Sequence, residues 1–172
     1  MVKKIAITGR PGCGKTTLCR KIAERVEADV GGLLTEEIRE EGKRVGFRLQ
    51  DLATGEGGTL AHVRDCSGPG VGKYFVCPDQ LDLIGVGAIE RGLREKDLLI
   101  VDEIGPMELK SRRFVQAVER ALEAEIDCLF TIHRRSKHPL LKKVREGFQV
   151  KKLTPKNRDR AFEKLSSAFS KR

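Results

Sequence analysis

A chain of 172 residues, 39% hydrophobic and 34% charged, suits one soluble domain (1–172) with a proper core. Its formal charge of +9 leaves nucleic acid open as a partner, yet 5% aromatic content with one Tyr and no Trp supplies few stacking platforms. A basic surface around a polyphosphate site is therefore the favoured reading, and the absence of a membrane-length apolar run or a signal-peptide pattern excludes a membrane segment.

The first apolar run, Ile5-Ala6-Ile7, reads as a buried strand that breaks at Gly9. A helical pattern resumes at Lys15, with Leu18, Ile22, Ala23 and Val26 repeating to about Ala28. Residues 30–38 read as extended, 44–52 alternate apolar and polar positions, and a second glycine turn leads into 59–63, as in an antiparallel meander. The glycine-rich stretch 64–73 reads as loop, and Tyr74-Phe75-Val76 as a short strand. Pro78-Asp79 opens a helix to about Glu95, which Gly85, Gly87 and Gly92 weaken, so that packing must support it.

Residues 97–103 are a continuous apolar run ending in Asp102-Glu103, the pattern of a buried parallel strand. Ser111 caps a helix expected to run to Ala124, residues 127–132 form another strand, and His138-Pro139 starts a helix ending near Gly147. After a strand over 148–153, Thr154-Pro155 is expected to cap the last helix, which places Ala161, Leu165, Ala168 and Phe169 on one face. The five cysteines (Cys13, Cys19, Cys66, Cys77, Cys128) are scattered and form no C-x-x-C pair. That argues against a metal site or a disulfide framework, and for a reducing, cytoplasmic compartment.

The chemistry lies at two of these boundaries. Residues 9–16 fit G-x-x-x-x-G-K-[ST] between a strand and a helix. Such a loop turns backbone N–H groups onto a β-phosphate, and the helix N-terminus adds its positive end. Gly9, Arg10, Pro11, Gly12, Cys13, Gly14, Lys15, Thr16 and Thr17 are the candidate nucleotide-binding residues, with Lys15 on the β- and γ-phosphates and Thr16 on Mg²⁺. Asp102 is the second candidate Mg²⁺ ligand, and Glu103 the group that activates water.

Asp102-Glu-Ile-Gly105 also matches D-x-x-G and puts Gly105 among the nucleotide-binding candidates. A switch GTPase is disfavoured, because Pro106 follows where a glutamine is expected and N-K-x-D is missing. The loop His133-Arg134-Arg135 follows the strand 127–132, and Arg134 is the candidate arginine finger. Asn157 and Arg158, after the final strand, are candidates for the nucleobase.

Several blocks extend the pattern along nearly the whole chain. They are the phosphate loop, Thr35-Glu-Glu-Ile-Arg39 with Arg44-Val-Gly-Phe47, Val71-Gly-Lys-Tyr74, Asp102-Glu-Ile-Gly-Pro-Met-Glu-Leu109 and Thr154-Pro-Lys-Asn-Arg-Asp159. In that order they resemble the small P-loop nucleoside-triphosphatases named in thermophiles and, in animals, as cancer-related NTPase. The resemblance implies an α/β, RecA-like fold: a mostly parallel sheet flanked by helices, extended here by the meander, with one strand between the loop strand and the Asp-Glu strand. It also implies slow hydrolysis of several nucleoside triphosphates. Mg²⁺-dependent hydrolysis by a monomer with broad base specificity is the expectation. The alternatives are a small-acceptor kinase, with the meander as acceptor pocket and lid, and a nucleotide-dependent nucleic-acid-binding module.

Overall fold

Five strands pair in parallel, and the central three of them are apolar almost throughout, as strands must be when helices cover both faces. In the computed structural model, which describes residues 1–170, the five are β1 (Lys4–Thr8), β2 (Val30–Glu40), β7 (Leu98–Ile104), β8 (Asp127–Ile132) and β9 (Gln149–Lys152). Between them lie β3 (Lys43–Asp51), β4 (Gly57–His62), β5 (Gly70–Val71) and β6 (Tyr74–Val76). All join one sheet in the order β5-β6-β4-β3-β2-β7-β8-β1-β9. As the resemblance implied, β8 separates β1 from β7.

The sheet is mixed, a parallel part extended by the antiparallel meander, as expected. Pairings from β2 to β9 are parallel, and those from β2 to β5 antiparallel. The meander joins the parallel part through β2, which pairs with β7 on one edge and β3 on the other. Alternation along each strand splits the core into two layers. Ile5, Ile7, Leu98 and Ile100 pack under α1 (Lys15–Arg25) and α6 (Arg158–Phe169). Ala6, Leu99 and Val101 face α3 (Gly87–Glu95), α4 (Arg112–Glu123) and α5 (Pro139–Gly147).

The glycine-weakened helix forms in three joined pieces: α2 (Pro78–Gln80), a π-helical turn (Leu81–Val86) and α3. Tertiary packing supports it as expected. A Cβ on Gly92 would stand 2.6 Å from Leu99 Cδ1, so the missing side chain lets α3 lie directly on the sheet. Ser111 caps α4 as expected, its Oγ accepting from Phe114 N at 3.0 Å.

Three expectations are corrected. Helix α1 ends at Arg25, because Val26 turns extended and buries its side chain. Helix α6 begins at Arg158, not Pro155: Asn157 Oδ1 accepts from Thr154 N at 2.8 Å and Thr154 Oγ1 from Asn157 N at 3.2 Å, closing a separate turn first. Finally, Cys66 and Cys77 form a disulfide, against the expectation of none. Antiparallel pairing of β4 with β6 brings the two ends of the 64–77 excursion together, a closeness that sequence spacing does not reveal. The other three cysteines are free and buried.

Candidate functional site

The loop between β1 and α1 takes its shape from glycine. Gly14, the residue before α1, has φ of 104°, a conformation that side chains with a Cβ rarely adopt. It offers no side-chain cap, and the first turn of α1 carries no acid. The helix N–H groups and the positive end of its dipole thus stay available to an anion. Lys15 folds over the loop, its Nζ donating to Gly9 O at 2.9 Å and to Arg10 O at 3.3 Å.

Opposite stands the end of β7, braced by both neighbouring strands. Thr35 Oγ1 on β2 donates to Asp102 O at 2.6 Å, and Thr131 Oγ1 on β8 donates to Asp102 Oδ1 at 2.5 Å. Asp102 Oδ2 is buried with no hydrogen-bond partner among the described residues. An unpartnered buried carboxylate oxygen is costly, and a cation beside it would remove the cost. Burial pushes the Asp102 carboxyl up, while the Thr131 and Thr16 hydroxyls, the Thr35 backbone and Lys15 restrain it.

Glu103 is raised by burial and then by the charge of Asp102, with Lys15 opposing. Glu108, in a short 3₁₀ turn (Glu108–Lys110), is pushed up to about 8 by burial and by Glu103. Its Oε2 accepts from Gly105 N at 3.1 Å. No three His, Cys, Asp or Glu side chains converge as a metal cage among the described residues. A hard cation of the Mg²⁺ type needs no such cage, since it relies on one carboxylate, a hydroxyl, water and phosphate oxygens. Asp102 Oδ2 and Thr16 are the groups present for it.

A cavity of about 810 Å³ joins these parts. Pro11, Gly12, Gly14, Lys15, Thr16, Thr17, Glu103 and Gly105 line it. Gly9 and Cys13 lie buried beneath the loop, and Arg10 is exposed outside the lining. The Gly105 N–H is taken by Glu108. Arg134 is exposed and not part of the lining, whereas its neighbour His133 is. Asn157 is committed locally, its Nδ2 donating to Lys152 O at 2.9 Å and its Oδ1 accepting from Thr154 N. Arg158 does reach the loop: a Cβ on Gly14 would lie 3.6 Å from its Cδ.

Sequence reasoning missed His133, Glu108, Thr35 and Thr131 as site residues, and Arg44, Phe47 and Tyr74 on the far wall. Arg44, Phe47, Tyr74, Thr35 and Glu108 all fall in the blocks that carried the resemblance, but no spacing rule assigns them a task. His133 Nδ1 accepts from Ser136 N at 3.1 Å and Arg135 N at 3.3 Å. Its pKa is lowered by burial and then by Lys15 and the arginines around it, which favours the neutral ring, and the bonds accepted at Nδ1 put the proton of that neutral form on Nε2.

Fold and site together define a P-loop nucleotide-binding protein with an acidic pair facing the phosphate loop. A family model described as NTPase matches residues 4–166. The nucleoside-triphosphatase THEP1 of Methanosarcina acetivorans is 46% identical over 170 residues, 96% of each chain. That of Thermotoga petrophila is 47% identical over 165 residues, 94% of this chain and 90% of its own. The crystal structure of THEP1 from Aquifex aeolicus superposes with a TM-score of 0.88 at 35% identity, covering 97% of this chain and 99% of that one. The solution structure of a human cancer-related nucleoside triphosphatase gives 0.76 at 30% identity, covering 97% of each. The chain belongs to this NTPase family.

Proposed function

We propose that the protein hydrolyses nucleoside triphosphates to diphosphate and phosphate with Mg²⁺, accepting ATP, GTP and the pyrimidine nucleotides. The observation that carries this reading is the Asp102-Glu103 pair at the end of β7, with Asp102 Oδ2 unpartnered beside a phosphate loop. The names of the relatives support hydrolysis as the activity.

In this reading the loop N–H groups and Lys15 hold the β- and γ-phosphates, Lys15 exchanging its bonds to Gly9 O and Arg10 O for phosphate oxygens. Thr16 and Asp102 would hold Mg²⁺, which would supply charge neutralisation on the phosphate oxygens. Glu103 orients the attacking water and takes its proton. Neutral His133, on the cavity wall, donates its Nε2–H to a γ-phosphate oxygen. Arg134 would need its loop to swing inward to act as a finger. Phosphate release from ATP, GTP, CTP and UTP, with and without Mg²⁺, tests the proposal. Release independent of Mg²⁺, or from none of the four, would overturn it.

A further inference from the structure

The functional groups follow one another along the carboxyl edge of the sheet. Arg158, after β9, overlies Gly14; the phosphate loop follows β1; Glu103 ends β7; and β2, β3, β4 and the β5–β6 hairpin come next. A triphosphate whose β-phosphate sits in the loop and whose γ-phosphate faces Glu103 has its nucleoside on the β9 side. The cavity runs the opposite way, past Glu103 to Phe47, Leu60, Val71 and Tyr74, and none of residues 154–158 lines it. In-line displacement brings the attacking oxygen in opposite the leaving one, hence from this chamber.

Water fills about 30 Å³, a small part of the cavity of about 810 Å³ that the phosphate loop and the far wall line together. The far wall carries two aromatic rings and a guanidinium. Phe47 and Tyr74 meet edge-on with ring centroids 5.3 Å apart. Arg44 lies over both rings, at 5.2 and 5.8 Å, and is held by Tyr74 OH at 2.8 Å and Glu37 Oε1 at 3.2 Å. The hairpin that presents Val71 and Tyr74 is pinned by the Cys66–Cys77 bridge and by Val76 N donating to Pro69 O at 2.9 Å. Phe47, Leu60, Val71 and Met107 give the chamber apolar surface, and Arg20, Glu36, Glu37 and Arg44 set charged groups beside it, a mixture that can bind and orient a small molecule.

We propose that this chamber is an acceptor site for a planar aromatic or heteroaromatic alcohol, whose hydroxyl replaces water as the nucleophile. The inference rests on the nucleotide reading above for its donor half. The acceptor oxygen bonds to the γ-phosphorus, the bond from that phosphorus to the β–γ bridging oxygen breaks, and the nucleoside diphosphate leaves with that oxygen. The hydroxyl proton passes to Glu103 and on to solvent. Hydrolysis is then the same displacement with water in an empty chamber.

The test uses the full chain with Mg²⁺ and ATP labelled at the γ-phosphate, offered benzyl alcohol, adenosine or, as a small non-planar control, glycerol. Labelled phosphomonoester is expected from at least one aromatic alcohol, at no less than ten times the glycerol yield. Phe47→Ala should shift the ratio of ester to orthophosphate at least tenfold towards orthophosphate, and the orthophosphate itself reports that the variant folds. If Phe47→Ala does not fold, Val71→Arg at the chamber's rim gives the same readout. Orthophosphate as the sole labelled product with both aromatic alcohols, or equal ester from glycerol, would overturn the acceptor site. No labelled product at all would instead overturn the nucleotide reading on which it rests.

Discussion

Glu103→Gln keeps the side chain's shape and removes only its capacity to take a proton. It is expected to lower kcat by about two orders of magnitude or more with nucleotide binding largely retained. Lys15→Ala removes charge that contacts ground and transition states alike, so both binding and turnover should fall. Binding titrations beside single-turnover rates separate the two, and near-normal kcat in the Gln variant would remove Glu103 from the chemistry. On the basic loop, His133→Ala is expected to lower kcat about tenfold and Arg134→Ala to leave it near wild type, because only His133 lines the cavity. The opposite ranking would show that the loop closes over substrate. Glu108 gives a prediction in pH. Its folded pKa of about 8 lies above the ordinary 4.5, so across that window the folded chain keeps a proton that the unfolded chain has released. Stability from this group is therefore lost as pH rises. Glu108→Gln should gain stability over wild type between pH 5 and pH 8, by up to a few kcal/mol in the nucleotide-free protein. Parallel Tm–pH profiles for the two proteins would refute it.

At the scale of elements, Ser111 joins two segments that sequence treats separately. Its Oγ accepts from Phe114 N at the start of α4 and donates to Asp82 Oδ1 at 2.5 Å in the π-helical turn. Ser111→Ala should cost about 1–2 kcal/mol, with a fall in Tm of about 2–4 °C for each kcal/mol. An unchanged Tm would mean that the cap is replaced by water at no cost. The cap itself was legible, since a serine ahead of an amphipathic run has a local task. Its bond to Asp82 was not, being set by how the helices pack. The glycine-bearing helix is similar: weak propensity could be read from the residues, but the reason for Gly92 appears only where α3 meets Leu99. The start of α6 was misread because Thr-Pro is a sound cap locally, while the Asn157 side chain turns back and ends that turn before the helix begins.

For the molecule as a whole, base selection follows from what lies free at the β9 end. Both ends of the Asn157 amide are committed to Thr154 and Lys152, leaving Arg158 above the loop without a partner amide to read base edges. Stacking accepts any base, so kcat/KM for ATP, GTP, CTP and UTP should agree within about tenfold, a spread of about 1.4 kcal/mol. A hundredfold preference for one base would require an edge-reading group elsewhere. The phosphate loop, the acids ending β7 and most element boundaries were legible in the sequence alone. Each depends on conformational demands or periodicities that act over a few residues. Strand order, the Cys66–Cys77 bridge, which also removes part of the ground for expecting a reducing compartment, and the wall of Arg44, Phe47 and Tyr74 were not. Nor was the meeting of His133 and Glu108 with Glu103 in one cavity. Most of these groups come from separate segments of the chain, and those segments come together only because burying both faces of one sheet decides which strands become neighbours.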